Sequence, residues 1–587
     1  MITTTELINE LDRLFAIEDF DNAEALLNTA RNLPTLYNDI IAIYDANLSL
    51  YKENYTQMWQ AIKRGLSCNY QNYELYVLLG EYYLTQNPNQ AFLCFENALF
   101  YCDKKDDLVQ IQTMIEQLKQ EHTITVNNVS FIILSYNLLD DTINCIESIR
   151  GTVPASAREI VIVDNASTDG SVEWLKEQDD IILLCNTENS GFPKGCNQGV
   201  AIASPQNDIF LLNNDVLLPP NALFWLRMGL YENDSVGTTG SITNNAGNLQ
   251  ALPFTDNSTS NLMNFAINNN LPQEYPYEEK LYLIGFALLI KRSVYNLVGD
   301  LDERFSPGNY EDNDYGIRVL NAGYKNVLCK NSFIIHFGSK SFNKNKSNYQ
   351  NLLTSNARKF EEKWNLSPLY YFKPHPELFS LIEVPKETPL RILDIGCGCG
   401  ALLAHMKGVY PNAQTYGIEL DDNAAKYASL FGDVICGDVE SSDLSWPHNF
   451  FDYVIMGNVL EHLREPSIVL KKIYPHLKER GRIIASMPNV KHYSVMIPLI
   501  KQDVFPYSDA GILDTTHVKM YTKMEMAKLL YQAGFTLLDA IYTTVGTPTD
   551  EDNKIIDILV ELSESKDRTE YLAYQNIMLA EKTYGNR

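Results

Sequence analysis

Arg391-Ile-Leu-Asp394-Ile-Gly396-Cys-Gly398-Cys-Gly400 decides the reading of the second half of this 587-residue chain. Ile392, Leu393 and Ile395 around Asp394 make a short buried strand. Three alternate glycines then permit a tight turn whose backbone can lie against a ligand. A glycine motif alone proves little, so the following strands matter. Tyr416-Gly-Ile-Glu419 puts a carboxylate at the next strand end, where it can take both hydroxyls of a ribose. Val434-x-x-Gly437-Asp438 supplies a third acid, suited to an adenine amino group. Phe451–Ile455 reads as a fourth strand, followed by Asn458-Val-Leu-Glu461-His462, and Gly481–Asn489 as a fifth.

Working back along the chain, a second strand-and-helix alternation runs from Asn127 to about Trp364. Ile132–Leu134 ends in Ser135-Tyr136-Asn137, and Ile160–Val163 ends in Asp164-Asn165-Ala-Ser167. Polar residues at the carboxyl ends of parallel strands are where open α/β sheets bind ligands. Asn189-Ser-Gly191-Phe-Pro-Lys194-Gly195-Cys-Asn197-x-Gly199 follows, and its glycines would let backbone approach a phosphate or sugar. Phe210-Leu-Leu212 then runs into Asn213-Asn214-Asp215. The Asn-rich stretch from Thr243 to Glu279 reads as a long acceptor-side loop, with disorder as the alternative.

Residues 1–122 read as entirely helical, with apolar positions recurring at three and four. Ala23, Met58 and Ala91 sit in matching contexts about 34 residues apart. Tyr76-x-x-Leu79-Gly80-x-x-Tyr83 lies between two of them. Small residues at Gly80, Ala91 and Ala98 suit close helix approach. This region resembles about three tetratricopeptide repeats; an ordinary helical bundle is the alternative.

The region 127–367 resembles the family-2 glycosyltransferases of the GT-A fold. Beyond the stretches above, the resemblance rests on Gly285-Phe286 with Arg292, Leu301-Asp302-Glu303, Tyr310-Glu311-Asp312-x-Asp314 with Arg318, and His336-x-Gly338-Ser339. It implies a nucleotide-sugar donor bound by Ser135, Tyr136, Asn137, Asp164, Asn165, Asn189, Gly191, Lys194, Asn197, Asn214 and Asp215. Asp164 is assigned to the base region. Asn213-Asn214-Asp215 takes the metal-binding Asp-x-Asp place, with Asn213 standing where the first acid would be. Asp215 and His336 are thus the candidate ligands for Mn²⁺ or Mg²⁺. Inverting transfer needs a carboxylate opposite the leaving nucleotide. Asp312 is the candidate base, and Glu311 beside it is the alternative. Asp314 and Arg318 read as helix-surface or salt-bridge residues. The motifs most resemble rhamnosyltransferase-like members.

The second catalytic domain is expected over 390–587, after a Pro-punctuated linker over 368–389. From about Thr388 to Tyr542 it resembles the class I S-adenosylmethionine-dependent methyltransferases, and an acidic tail after Val545 ends in a helix. The motif order disfavours a dinucleotide-dependent dehydrogenase. The implied cofactor contacts are Asp394, Gly396, Gly398, Gly400, Glu419, Asp438, Asn458 and Glu461. A sugar hydroxyl needs a base near neutral pH. His517, in Leu513-Asp514-Thr-Thr-His517, and His462 are the candidates. Asp514 either orients His517 or binds a metal with it.

The expected protein is therefore multidomain: all-α repeats, an α/β GT-A unit and an α/β Rossmann-like methyltransferase unit. It would be a bifunctional transferase acting on one acceptor. A net charge of −27 argues against a nucleic-acid partner. The polar start and the lack of a long apolar run point to a cytoplasmic enzyme with no integral membrane segment. Tetratricopeptide-like repeats mostly bind polypeptide. A flagellin-like acceptor protein docked by the repeats is thus one expectation, and a lipid-linked glycan or cell-surface polysaccharide the other. A repeat scaffold with vestigial catalytic domains is a third, disfavoured by the intact Asp164, Asp215, Asp312, Asp394 and Glu419.

Overall fold

A computed structural model describes residues 3–33, 35–338 and 346–583, the side chains of 346–348 apart. Two compact units divide the chain, residues 1–359 and 360–587. Ser339 lies outside the described residues.

The first unit opens with helices Thr4–Ala16, Phe20–Asn32, Asp39–Tyr51, Tyr55–Cys68, Tyr73–Tyr83, Pro88–Tyr101 and Lys105–Glu121. Four of them start on an asparagine. The side chains of Asn38, Asn54, Asn72 and Asn87 accept the amides of Ile41, Gln57, Glu74 and Gln90. Each such cap is worth about 1 kcal/mol. The small residues do bring helices together: a Cβ on Gly80 would lie 2.3 Å from Phe95 Cε1, and one on Gly65 would lie 2.6 Å from Ala42 Cβ. Gly80→Val should accordingly destabilise the unit by about 1–3 kcal/mol, because the fully buried Phe95 has nowhere to move. An unchanged chemical-denaturation midpoint would contradict this packing.

The sheet of this unit contains β1 (Val129–Ser135), β2 (Arg158–Asp164), β3 (Ile181–Cys185), β4 (Asp208–Asn213), β6 (Val236–Ile242), β7 (Tyr277–Lys280), β8 (Ala287–Ile290) and β9 (Lys325–Phe333). A separate ribbon pairs β5 (Val216–Leu217) with β10 (Ile335–His336). The eight-stranded order is β3-β2-β1-β4-β8-β6-β9-β7. β1 to β4 are parallel neighbours, and β8 runs antiparallel to β4 and β6. β1 is almost wholly buried, as its apolar run predicts.

Every residue of the helix Ala222–Leu230 is buried. One side of it meets the sheet, in contact with β6 and β9. The other side meets the repeats. Asn221, at its start, donates to Tyr76 Oη at 3.0 Å and accepts from Tyr101 Oη at 3.1 Å. Gln90 donates to the Met228 carbonyl at 2.9 Å, and Arg227 pairs with Glu96. Repeats and sheet share one contiguous apolar core. The third helical pair therefore packs this surface against its own chain.

The stretch Thr243–Glu279 is not a structureless loop. It holds the helix Thr259–Asn269 and the start of β7, with Leu262 and Ala266 fully buried. Its many Asn residues masked the apolar spacing.

In the second unit β11 (Arg391–Ile395), β12 (Gln414–Glu419), β13 (Asp433–Cys436), β14 (Phe451–Gly457), β15 (Leu477–Pro488), β16 (Phe535–Thr543) and β17 (Gln575–Lys582) form one sheet. Their order is β13-β12-β11-β14-β15-β17-β16, with β17 antiparallel to both neighbours. Two expectations are corrected here. The tail ends in a strand rather than a helix, and β17 enters the core through Ile577, Met578 and Ala580. The linker belongs to this unit: Leu378, Leu381 and Ile382 pack with Ile392, Ile455 and Ile577.

Candidate functional site

In the first unit the carboxyl end of β2 presents Asp164, which is fully buried. Its Oδ1 accepts the Ser167 amide at 2.9 Å, whereas Oδ2 has no partner. A buried carboxylate oxygen left in this state costs free energy that a donated hydrogen bond from a ligand would recover. Further along the edge, the β5–β10 ribbon sets His336 opposite Val216 and so beside Asp215. His336 Nε2 lies 3.4 Å from Asp215 Oδ1 and 3.5 Å from Asn213 Nδ2. Nδ1 of His336 donates to the Asn245 carbonyl at 2.7 Å, which orients the ring and turns Nε2 toward Asp215. Asn244 brackets the His336 backbone through both ends of its amide, and the ring stacks on Phe286 at 4.9 Å.

Glu311 and Asp312 open the helix Glu311–Asn321. Asp312 Oδ2 accepts the Gly285 amide at 3.2 Å, and Oδ1 accepts the Asn313 amide at 2.9 Å. Glu311 is buried, and its Oε2 has no partner. Burial, then the neighbouring Asp312 charge, holds Glu311 well above the ordinary carboxylate range. Burial also raises Asp312, against the two amide bonds that favour its charged form. Asp314 and Arg318 form the expected ion pair, at 2.9 Å. The turn entering this helix hangs on Asn356, whose Nδ2 donates to the carbonyls of Phe305, Gly308 and Asn309.

In the second unit Gly396, Gly398 and Gly400 all take positive φ (73°, 55° and 85°), which only glycine adopts freely. Glu419 Oε2 accepts the Gly398 amide at 2.7 Å and Oε1 accepts the Asp421 amide at 3.0 Å. A carboxylate has about four lone-pair sites, so two stay open for a ligand. Burial raises Glu419, and burial followed by the Glu419 charge raises Asp394. Tyr371 covers the glycine turn, its carbonyl taking the Cys399 amide at 3.0 Å. Tyr370 beside it donates to Asp514 Oδ2 at 3.2 Å.

Glu461, His462 and His517 come together after β14, one ligand atom of each lying within 4.8 Å of the others. Both Glu461 oxygens are without a partner, and burial pushes this carboxyl up to about 8. Burial, then His517, lowers His462. His517 Nδ1 meets the Ile512 carbonyl at 2.9 Å, so that carbonyl orients the ring. Asp514 does not: its Oδ1 is spent on Thr516, which corrects that expectation.

Two family models match these sheets. Residues 130–298 match "Glycosyl transferase family 2", and residues 369–540 match "Methyltransferase domain". The chain carries one domain of each kind. A malonyl-[acyl-carrier protein] O-methyltransferase of Bacillus cytotoxicus is 29% identical over 106 residues, 17% of this chain and 36% of that protein. The poly(ribitol-phosphate) beta-glucosyltransferase of Bacillus spizizenii is 30% identical over 120 residues, 19% of each chain. Among solved structures, a SAM-dependent methyltransferase from Archaeoglobus fulgidus is 20% identical, with a TM-score of 0.26 over 38% of this chain and 99% of that one. The chain spans 36%, 45% and 39% of the length of three O-methyltransferases that it resembles.

Several residues expected at these sites do other work. In the glycosyltransferase domain, Asn197 spends both ends of its amide on the Leu301 backbone, at 2.9 Å each, and so ties two segments together. Asn165 is buried in a network with Asn186, Asn189 and Ser190. Ser135 is fully buried against Thr142, and Asn214 donates to the same hydroxyl. Asn137 accepts the Thr168 amide, joining the loops after β1 and β2. Asn189 caps the Gly191 amide. Gly195 and Gly199 serve helix-on-sheet packing, since added Cβ atoms would lie 2.2 Å from Leu134 and 2.5 Å from Ile132. Gly191 likewise lies against Pro307. Tyr136, just after β1, and Lys194, in the first turn of the helix Phe192–Ile202, remain exposed.

In the methyltransferase domain, Asp438 is exposed and accepts the Glu440 amide. Asn458 Oδ1 accepts from the Gln575 side-chain amide at 2.7 Å, and Glu461 groups with the two histidines rather than with the glycine turn. Asn356, Asn244, Tyr371 and Gln575 escaped sequence reasoning; each acts through a partner distant in the chain. Only Asn244 carried a signal, in the Asn-rich run.

His492, also unforeseen, caps the helix Tyr493–Gln502 through Nδ1, while its buried Nε2 has no partner. Burial lowers it from 6.5 to about 4. A base depressed in the folded state contributes stability above its unfolded value, and this is lost as pH falls from 6.5 toward 4. His492→Asn keeps a capping acceptor and removes the titration. Its denaturation midpoint should therefore fall less steeply over that window than that of the unaltered chain. Parallel slopes would contradict a neutral, buried His492.

Proposed function

We propose that the chain is a cytoplasmic bifunctional transferase. It moves a sugar from a nucleotide-sugar donor to an acceptor hydroxyl, and places a methyl group from S-adenosylmethionine on a sugar hydroxyl of the same product. The observation that carries this reading is unspent acceptor capacity at the strand ends of two sheets: Asp164 Oδ2 in one and Glu419 in the other.

In sugar transfer, Asp164 takes a hydrogen bond from the nucleotide base. Asp215 and His336 would hold a divalent cation, Mn²⁺ or Mg²⁺, which when bound would neutralise the departing diphosphate. Asp312 is the base. Glu311 is the more deeply buried of the pair, which favours its protonated form. Asp312, with two amides donated to it, stays charged and removes the acceptor proton as its oxygen attacks the anomeric carbon from the opposite face, inverting it. In methyl transfer, Glu419 takes the ribose hydroxyls of the cofactor, and the cluster of Glu461, His462 and His517 activates the acceptor hydroxyl.

Rhamnose is the donor sugar we favour, and a flagellin-like protein the acceptor. With the third helical pair committed to its own domain, helices Thr4–Ala16 to Tyr55–Cys68 are left to meet that protein. A second reading has one observation in its favour. A matched relative bears the name poly(ribitol-phosphate) beta-glucosyltransferase, which points to a cell-surface polymer as acceptor.

Ligand-induced thermal shift tests the core of the proposal. A panel of UDP, GDP and dTDP with Mn²⁺ should contain one member that raises the melting temperature, and S-adenosylhomocysteine should raise it separately. A flat response to either class removes that half of the activity.

A further inference from the structure

Glu461 poses a problem that methyl transfer as described does not solve. Its carboxylate is 1% exposed, and neither oxygen has a hydrogen-bond partner. An isolated buried carboxylate is expensive and is kept where a counter-charge or a metal satisfies it. No Lys or Arg pairs with it among the described residues. What faces it instead is two imidazoles, both held in the tautomer that a cation needs.

His517 Nδ1 meets the Ile512 carbonyl, and His462 Nδ1 meets the Thr516 carbonyl at 3.3 Å. A carbonyl only accepts, so each Nδ1 is the donor there and each Nε2 is the nitrogen left to face a cation. Backbone carbonyls behind metal-binding histidines do this job in many metal sites. Two neutral imidazoles and one carboxylate form a donor set for a divalent transition ion that leaves coordination positions open. His462 is the exposed member, which gives an ion its entry path and supplies the side-chain freedom to close the cluster.

We infer that Glu461, His462 and His517 hold a divalent transition cation whose open positions take two adjacent oxygen atoms of the methyl acceptor. The cluster is well placed for this. A Cβ on Gly396 of the glycine turn would lie 2.7 Å from Val459, two residues before Glu461. Tyr371 and Tyr370 tie the same turn to Asp514, three residues before His517. The acceptor class is then a sugar with neighbouring hydroxyls. That half of the inference rests on the methyl-transfer reading above, whereas the cation half does not.

The test uses the full chain, stripped of metal with a chelator and titrated with Co²⁺ alone, followed by calorimetry and visible absorption. The expected result is a tight site with histidine-coordinated Co²⁺ absorption. Glu461→Gln and His517→Ala should each weaken it by more than about 100-fold, since even partners behind the ligands are worth 10–100-fold. The titrations are run in the Asp215→Asn background, so that the Asp215–His336 pair does not supply the signal. His517→Ala guards against a folding artefact, because this ring is only half-buried. Equal affinity and an unchanged spectrum in both cluster variants overturn the cation site.

The S-adenosylhomocysteine thermal shift separates the two readings. A shift with no cluster-dependent Co²⁺ binding removes the cation and spares the methyltransferase. Cluster-dependent Co²⁺ binding with no shift keeps the cation and sinks methyl transfer. For the acceptor half the probes are 4-nitrocatechol, with two adjacent hydroxyls, and 4-nitrophenol, with one. The first should perturb the Co²⁺ spectrum and the second should not; equal responses overturn the paired-oxygen claim.

Discussion

Replacing Asp312 by Asn should lower the rate of sugar transfer by about 10²–10⁴-fold, the usual worth of a positioned general base. The asparagine is nearly isosteric, and its oxygen can still take the Gly285 amide that Asp312 Oδ2 accepts at 3.2 Å. The helix start should survive, and with it donor binding. The loss should therefore fall on kcat, with nucleotide-diphosphate affinity unchanged. Glu311→Gln makes the informative contrast. Glu311 is buried, and burial with the Asp312 charge beside it holds it well above the ordinary carboxylate range, which favours its neutral form. Its amide replacement should cost far less. If single-turnover transfer fell more in Glu311→Gln than in Asp312→Asn, the base would be Glu311 and the proton assignment within the pair would be reversed.

Glu419→Ala should weaken S-adenosylhomocysteine binding by about 3 kcal/mol or more, roughly 100-fold or greater. Two losses combine. Hydrogen bonds from two ribose hydroxyls to a charged acceptor disappear, each worth about 1.5–3 kcal/mol. The glycine turn also loses its tether, because Glu419 holds the amides of Gly398 and Asp421. Titration calorimetry separates this from a general folding defect if the Co²⁺ response of the Glu461 cluster persists in the variant. Wild-type affinity in Glu419→Ala would move the ribose contact elsewhere.

The parts of this molecule legible in its sequence are those written in short stretches. An apolar run closed by an acid marks a strand end, so β2 with Asp164, β11 with Asp394 and β12 with Glu419 could be read directly. The pairing of Asp215 with His336 was also readable, because both lie in ordered motifs. What could not be read depends on partners far along the chain. Asn197 and Asn165 look like ligand-facing amides until Leu301 and Asn186 are seen to occupy them. Gly195 and Gly199 show the same ambiguity, since a missing Cβ admits a phosphate or a neighbouring strand equally well. β17 was hidden because the register of an antiparallel strand is set by neighbours, here β15 and β16. An acidic helix just before it set the tone of the tail.

The burial of Ala222–Leu230 on both flanks has a practical consequence for dissecting the enzyme. A cut between the helical repeats and the first catalytic sheet follows the family boundaries yet severs one folding unit. It would bare Phe224 and Trp225 to water, strip Arg227 of its counter-ion, and leave Asn221 without its tyrosines. Such a fragment should clump rather than catalyse, and truncation studies are better begun after the helix Lys346–Trp364, which leaves Asn356 in its helix.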